Sequence, residues 1–434
     1  MSSLGSGFAE RLSAQHADTA RALGEPAASA AQRRRALAAL LDAGLPSSRD
    51  DNWKYANLRP LEKLRYLPAS TAESSALAPV SAAMLPPALP GYARYVFVDG
   101  VLAPALSTLL NGTATRLALE DGGSAPATSA SGDERFALLN AAFAAQAVAV
   151  TVRTAASERL ELLYIASADA ALGASYPRLD VRLEPGAQLA LIERHLSAAE
   201  APSFVNSAVT LALGAGASVS HYRLQDLSNR SMHLDTLSAH LAQSAAYRLH
   251  TAALGAQSAR STVRVRLEGS RAELKLAMTA LGDRQQVQDA YAIIEHAAPD
   301  TRTEQIFRGI ASGRARVACN GKIVVAREAR GTDSRQSLRG LLAGPEAEID
   351  VRPQLEIYTD DVRCSHGATA GKLDDNMLFY LLSRGLDREA AQRALKWAFL
   401  EDVIARIEVP ELRRHIEERL AGRMHDGAAL RELW

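Results

Sequence analysis

Ala187-Gln-Leu-Ala-Leu191 and Ala217-Ser-Val-Ser-His221 are two copies of one short phrase, an alanine followed by alternating and mostly apolar positions. Alternation with a period of two is typical of a β-strand that turns one face to a core. The phrase occurs six times, at steps of 30, 28, 27, 43 and 32 residues, beginning at Ala187, Ala217, Ala245, Ala272, Ala315 and Ala347. A period near 30 residues without a helical stripe favours a β-solenoid, in which stacked coils bury one another's inner side chains.

The one irregular step in this series lies between Ala272 and Ala315. It predicts a coil that carries an insertion of about a dozen residues, between residues 282 and 299. A β-sandwich with regularly spaced turns is the alternative interpretation of the same pattern. In either case the protein is mainly β over residues 93–367.

The segments on both sides of the strands show helical patterns, which predicts helical domains at residues 1–92 and 368–434. In the first, Ser29 and Gln32 fit a capping box, Gly44 is placed to end the helix, and a proline-rich linker to Pro90 follows. In the second, apolar residues recur at i+4 steps, as expected for a helix with one apolar face: Ala391, Leu395, Phe399, Val403 and Ile407.

Composition excludes several classes of protein. The 434 residues contain 49 Lys and Arg against 49 Asp and Glu, whereas a dedicated nucleic-acid binder usually carries a basic excess. Two cysteines are too few for a disulfide scaffold or for a zinc ion held by four thiolates. No signal peptide is recognisable, and the most apolar run, residues 137–152, is shorter than the roughly 20 residues of a membrane span. The expected compartment is the cytoplasm.

Cys364-Ser-His366 is the most suggestive chemical feature of the sequence. On a strand, residues i and i+2 point to the same side, so the thiol and the imidazole would project together. Both are ligands suited to zinc, iron or an iron–sulfur cluster, but two ligands leave such a site incomplete. The alternative is a buried cysteine beside a hydrogen-bonded histidine. His296 is a weaker candidate ligand or proton carrier, and Cys319 is expected in the core.

Other motifs argue against catalysis by this chain. Gly367 and Gly371-Lys372 resemble a phosphate loop, but the spacing is too short and Leu373 replaces the required Ser or Thr. The carboxylate pairs Asp360-Asp361 and Asp374-Asp375 have structural explanations, the second as a helix cap. No Gly-x-Ser-x-Gly nucleophile motif occurs. A β-solenoid enzyme acting on polysaccharide or acyl substrates remains the alternative to a non-catalytic protein.

The C-terminal part of the chain resembles the SufB/SufD family of the SUF iron–sulfur cluster assembly system. The resemblance is dense over residues 353–361, 362–375 and 378–386, and weaker matches lie at residues 52–55, 139–143 and 295–301. Cys364 next to Ser365-His366, together with the low cysteine count, favours the SufD branch of that family.

The resemblance implies a right-handed parallel β-helix between helical terminal domains, acting as a non-catalytic scaffold that binds no nucleotide. It implies a heterodimer with a SufB-like subunit through the β-helix ends, a SufC-like ABC ATPase on the C-terminal helices, and a possible homodimer when alone. A transient iron–sulfur cluster or iron would lie at the subunit junction. Carried over by position, His366 is the leading ligand, Cys364 the second and His296 a weaker third. A structural partner without ligands is the rival interpretation.

Overall fold

The computed structural model of the protein describes residues 5–424 except 25, 48–49, 70–79, 111–114, 122–132 and 168–172; Pro79 of the predicted linker and the last ten residues lie outside this range. The helices of the described residues are α1 (Gly5–Leu23), α2 (Ala27–Ala43), α3 (Arg135–Phe143), α4 (Asp375–Ser383), α5 (Arg388–Ile404) and α6 (Pro410–Arg423). The strands are β1 (Ala93–Val98), β2 (Val101–Leu102), β3 (Thr115–Asp121), β4 (Gln146–Val152), β5 (Ser157–Ala166), β6 (Ala174–Ser175), β7 (Arg178–Leu183), β8 (Gln188–Ser197), β9 (Phe204–Leu213), β10 (Ser218–Asp226), β11 (Met232–Leu241), β12 (Ala246–Ala253), β13 (Ser258–Leu267), β14 (Glu273–Gly282), β15 (Val287–His296), β16 (Arg302–Ala311), β17 (Arg316–Val325), β18 (Thr332–Leu342), β19 (Glu348–Ile357) and β20 (Val362–Gly371).

The strands form a parallel β-solenoid of about 7 turns, which confirms the predicted fold class. Sheet one has the order β2-β1-β5-β8-β10-β12-β14-β16-β18-β20, and sheet two has the order β19-β17-β15-β13-β11-β9-β7-β4-β3. Each coil contributes one strand to each sheet, and among the strand pairs of the described residues β1–β2 and β3–β4 are antiparallel while the others are parallel. The side chains between the two sheets form one continuous apolar core, which includes Cys319 as predicted.

The predicted insertion between residues 282 and 299 is wrong, because the regular strand β15 occupies most of that segment. The alanine phrase precedes strands of sheet one up to Ala272, but at Ala315 it precedes β17 of sheet two. The long step therefore spans one and a half coils of ordinary length. The alanine phrase precedes β8, β10, β12 and β14 of sheet one but β17 and β19 of sheet two, so the phrase alone does not identify the sheet.

Helices cover the outer face of each sheet. On sheet two, α2 and α3 pack through residues such as Leu40 and Phe143 against Phe204 and Met232. On sheet one, α5 and α6 pack against the outward apolar residues of the coils through Leu400, Ile404, Ile407, Leu412, Ile416 and Leu420. The C-terminal helices therefore cover an apolar face of sheet one, which their removal would expose. The division into three domains stays a prediction.

Local signals at the helix ends were predicted with mixed success. Asp374 and Asp387 cap α4 and α5 by accepting hydrogen bonds from backbone N–H groups, and Gly44 follows α2 at φ +66°. The capping box is wrong, because α2 begins at Ala27 behind Pro26 and has no side-chain cap at that residue. Helix α3 was not predicted, since all but its first residue are buried and its sequence has no polar face to reveal a helical period.

Candidate functional site

The solenoid ends in an open coil. In the described residues, β19 and β20 are the last strands of their sheets and have a hydrogen-bonded neighbour on one side only. Every residue of β20 is half-buried or exposed. In β18, by contrast, buried residues alternate with half-buried or exposed ones along most of the strand. Such edge strands present unpaired N–H and C=O groups that can pair with another chain. This end of the molecule is therefore suited to contact a partner.

Cys364 and His366 lie on β20, at the alternate positions whose side chains face the interior of the solenoid. The strand pairs in register with β18, so that Cys364 stacks on Ser334 and His366 stacks on Gln336. Cys364 is half-buried and packs against the end of the apolar core, while His366 is exposed. The structure thus places the thiol and the imidazole on one face of the open coil, as the i, i+2 spacing predicts.

The surroundings of Cys364 influence its ionisation. Partial burial raises the pKa of the thiol, and the nearby carboxylate of Asp333 acts in the same direction. A hydrogen bond from the backbone of Ser334 opposes this rise. Metal ions and clusters bind the thiolate form of cysteine. The thiol of Cys364 must therefore lose its proton when a metal ion or a cluster binds to it.

His296 is not brought next to this pair. It ends β15, which lies two strands below the edge strand β19, and its imidazole is 1% exposed. Its Nδ1 lies 2.7 Å from Thr301 Oγ1 and its Nε2 lies 3.1 Å from Thr303 Oγ1, so hydrogen bonds occupy both ring nitrogens. Burial lowers the pKa of His296 to about 4. This environment suits a structural histidine better than a ligand, although the ligand prediction itself stays untested.

Among the described residues, no group of three or more His, Cys, Asp or Glu side chains is arranged to hold a metal ion. Cys364 and His366 therefore contribute two candidate ligands, which leaves the coordination sphere of a metal ion or cluster incomplete within the described residues. The open edge beside them is a place where a partner molecule could supply further ligands. The incomplete site and the unpaired edge thus coincide at one end of the solenoid.

The sequence analysis missed polar residues directly beneath this site. Ser334 and Gln336 occupy inward positions of β18, and both are buried. Among the described residues, Ser334 Oγ and Gln336 Oε1 have no hydrogen-bond partner, whereas Gln336 Nε2 donates to Gln305 Oε1 at 2.7 Å. Polar residues at inward positions of a solenoid strand are the signal that could have identified them, once the register was known.

A second exposed feature lies on α4, which follows β20. Phe379 is 72% exposed, Met377 59% and Tyr380 55%. By contrast, Ala391, Val403 and Ile407 of the i+4 stripe on α5 and the turn after it are buried, and Leu395 and Phe399 are half-buried. The stripe therefore serves internal packing, and among the described C-terminal helices the large exposed apolar side chains lie on α4. No helix in the described part of the chain is long and apolar enough to cross a membrane.

Comparison with known proteins agrees with this architecture. The family model described as "SUF system FeS cluster assembly, SufBD core domain" matches residues 164–399. The iron–sulfur cluster assembly protein SufD of Escherichia coli is 31% identical over 92% of this chain and 93% of its own length. A SufBD family protein of Synechocystis is 29% identical over 86% of each chain, and the chloroplastic protein ABCI7 of Arabidopsis thaliana is 28% identical over 58% of this chain and 53% of its own.

The chain therefore belongs to the SufB/SufD family of iron–sulfur cluster assembly proteins. Within that family it is SufD-like, since the match to SufD runs over nearly the whole length of both chains.

Proposed function

We propose that the protein is a non-catalytic scaffold subunit of a cytoplasmic complex that builds iron–sulfur clusters. A SufB-like subunit pairs with the open coil, and a nascent cluster forms at the junction. His366 and Cys364 are this chain's ligands to the cluster or to its iron. The observation that carries the proposal is the coincidence of an incomplete Cys/His pair with unpaired edge strands at one end of the solenoid.

The chemistry of the pair supports this assignment. Thiolate and imidazole are the two protein groups that commonly ligate iron in clusters, and a cluster requires four ligands in most cases. With two ligands in this chain, an isolated protein holds iron weakly and loses it to a chelator. Pairing of the edge strands brings a second set of side chains to the same place, which completes the site and shields it from water.

We further propose that a SufC-like ATPase binds the C-terminal helices through α4. The exposed side chains of Met377, Phe379 and Tyr380 give α4 an apolar surface, and exposed apolar surface is often found at protein contacts. The buried stripe on α5 instead holds the helices on sheet one. ATP hydrolysis belongs to that partner, since the glycine motif of this chain lacks the Walker spacing.

The test is anaerobic co-expression of His366→Ala with the SufB-like and SufC-like partners, followed by iron and sulfide analysis of the purified complex. His366 is exposed, so its removal should leave folding and complex formation unchanged and sharply reduce iron and sulfide. The matched control is His240→Ala, which removes an exposed histidine of sheet two that pairs with Glu268.

Normal iron and sulfide in the His366→Ala complex would refute the ligand role and favour a purely structural partner. Loss of cluster only because the variant fails to fold would have the same consequence. A Cys364→Ser variant extends the comparison, because it replaces the thiolate and retains most of the side-chain volume.

A further inference from the structure

We propose that a cavity between the outer face of sheet one and the turn from α5 to α6 binds a small tetrahedral oxyanion of the phosphate or sulfate type. Cations line this cavity from both sides: Arg248 and Lys275 from sheet one, and Arg406 from the turn. The inference goes beyond the proposed function, since none of these residues belongs to the open coil or to α4.

Two of these cations lie side by side without a carboxylate partner. Arg248 on β12 and Lys275 on β14 are Cα partners in a parallel ladder, so their side chains leave neighbouring strands on the same face. Both are exposed, and neither side chain forms an ion pair or a hydrogen bond with another described residue. Like charges at such positions repel each other, and an anion bound between them reverses this repulsion.

The carboxylates that line the same cavity do not neutralise this pair. Glu304 is the Cα partner of Lys275 on β16, but its carboxylate accepts a hydrogen bond from Arg406 at 3.1 Å. Glu408 is exposed, and its carboxylate forms no ion pair with a described residue. The cavity therefore has three cations against two carboxylates, and the unpaired positive charge is on the side of the sheet.

A histidine in the wall of the cavity favours the same kind of ligand. His250 lies two residues after Arg248 on β12, and the ring of Tyr222 stacks on it at a centroid distance of 5.3 Å. Among the described residues no group forms a hydrogen bond with the imidazole, and its Nδ1 is buried. Burial and the positive charges of Arg406 and Arg248 lower the pKa of His250 to about 4. A buried polar atom without a partner often marks the place of a water or an ion, and these charges favour an anion.

The size and position of the cavity suit a small ion. Its volume of about 280 Å³ lies just below the roughly 300–1,000 Å³ of sites for drug-sized ligands, which fits an oxyanion with water better than a nucleotide. Beside it, Ala277 and Ile306 of sheet one pack with Val403 of α5. An oxyanion that accepts charge-assisted hydrogen bonds from both the sheet and Arg406 would hold the turn on the solenoid.

The test is a titration of the full-length protein, labelled with ¹⁵N-histidine, with sodium phosphate at neutral pH and constant ionic strength. Nitrogen NMR follows the ring of His250, and its signal is assigned by its loss in His250→Gln. We expect a saturable change of this signal, while the exposed His240 of sheet two is the internal control and should not respond. Arg248→Gln and Lys275→Gln should each raise the Kd for phosphate by about tenfold, as expected for the loss of one charge-assisted hydrogen bond.

Two further variants test whether charge in the cavity controls the affinity. Arg363→Gln is the matched control, because it removes an exposed arginine of β20 that does not line the cavity, and it should leave the Kd unchanged. Glu304→Gln removes a carboxylate from the cavity and releases Arg406 from its partner, so it should lower the Kd. A higher Kd in Glu304→Gln would contradict the proposed site.

Two other results would overturn the proposal. One is an equal response of the His240 and His250 signals to phosphate, or an unchanged Kd in both Arg248→Gln and Lys275→Gln. The other comes from ADP as a second probe, since saturation by ADP but not by phosphate would exclude a free oxyanion as the ligand. Neither result affects the proposed function, because that function is tested by the iron and sulfide content of the complex with His366→Ala.

Discussion

One inward column of sheet one contains His221 in the interior of the solenoid and His366 at its open end, and the two histidines differ in burial and in partners. The column passes in register through His221, Leu249, Leu276, Gln305, Gln336 and His366. His221 is fully buried, with Nδ1 3.0 Å from Tyr247 Oη and Nε2 3.3 Å from Glu193. His366 is exposed at the open coil. The same position in the repeat is structural where another coil covers it and available to a ligand where none follows.

The closed coils around His221 contain a network of buried charges. Arg223 donates to Glu193 at 2.6 Å and to Asp235 at 2.7 Å, and all three side chains point into the solenoid interior. Their proximity to Arg223 keeps the pKa of both carboxyls low although burial opposes this, so both are ionised. At the open end, the carboxylate of Asp333 lies near Cys364 and raises the pKa of its thiol together with burial, so it disfavours the charged form.

The largest expected effect comes from breaking the closed network. Arg223→Ala leaves two buried carboxylates without their cation, and we expect a loss of about 3–5 kcal/mol in the free energy of unfolding. The measurement is urea denaturation monitored by circular dichroism, with Arg363→Ala as the matched control because Arg363 is exposed on β20. That control should change stability by less than about 0.5 kcal/mol. Equal losses in the two variants would contradict the contrast between covered and open coils.

The two histidines of the column give the next effect. His221→Ala removes the partner of the Tyr247 hydroxyl and a neighbour of Glu193, so we expect a loss of about 1–3 kcal/mol. His366→Ala should cost less than about 0.5 kcal/mol. Parallel denaturation of both variants, together with iron analysis of their complexes, should show a stability defect in the first and a cluster defect in the second. A stability loss in His366→Ala as large as that in His221→Ala would mean that His366 is structural.

The pH dependence of stability distinguishes the two regions further. Burial, together with the nearby His195, lowers the pKa of His233 to about 3, while the ring hydrogen-bonds Ser207 Oγ at 3.0 Å. Below about pH 6.5, His233 takes up a proton in the unfolded chain but stays neutral in the folded chain. The contribution of His233 to the free energy of unfolding is therefore complete above pH 6.5 and falls by about 1.4 kcal/mol per pH unit toward pH 3.

Urea denaturation between pH 5 and 7.5 measures this slope, and His233→Gln should flatten it. Ser207→Ala is the control, because it removes the hydroxyl partner of His233 but keeps the titrating ring. Asp350 acts in the opposite sense, since burial and the nearby Glu348 raise its pKa to about 6 and its protonation favours the folded state between about pH 6 and 4. If the free energy of unfolding of His233→Gln depends on pH as steeply as that of the unmodified protein, a group other than His233 causes the pH dependence.

Much of this contrast could be predicted from the sequence. The spacing of the alanine phrase indicates stacked coils, and the Cys364/His366 spacing predicts that both side chains share a face. The i+4 stripe on α5 indicates an amphipathic helix, but it does not reveal whether the apolar face meets a partner or the solenoid. That distinction requires the outward apolar residues of sheet one, such as Ile192 and Leu224, which are far apart in sequence.

The polar residues beneath the site could not be identified in the same way. Ser334 and Gln336 occupy the sequence Asp333-Ser-Arg-Gln-Ser337, which looks like an exposed strand because every residue is polar. Only the register with β16 and β20 shows that two of them face the interior. The false insertion has a related cause, because the phrase Ala-x-apolar-x-apolar carries no information about the sheet to which its strand belongs.

The smallest expected effect on stability concerns α4, which follows the open coil. Phe379 and Met377 are largely exposed, so their joint replacement by Ser should change the free energy of unfolding by less than about 0.5 kcal/mol. The same two side chains are the proposed contact with the SufC-like ATPase, and aromatic anchors usually dominate such contacts. Capture of that ATPase on the immobilised double variant should therefore weaken by at least about tenfold, since the loss of one anchor commonly costs 2 kcal/mol or more.

The matched control for α4 is Leu119→Ser on β3, which also replaces an exposed apolar residue but lies in the N-terminal part of the solenoid. It should leave ATPase capture unchanged. If the Met377/Phe379 variant captures the ATPase as well as the unmodified protein does, the ATPase does not bind through α4, and the exposed edges of α5 and α6 become the expected contact. Loss of capture together with unfolding would instead mean that α4 is covered in solution like the coils, because a surface that stabilises the isolated chain is not free to bind a partner.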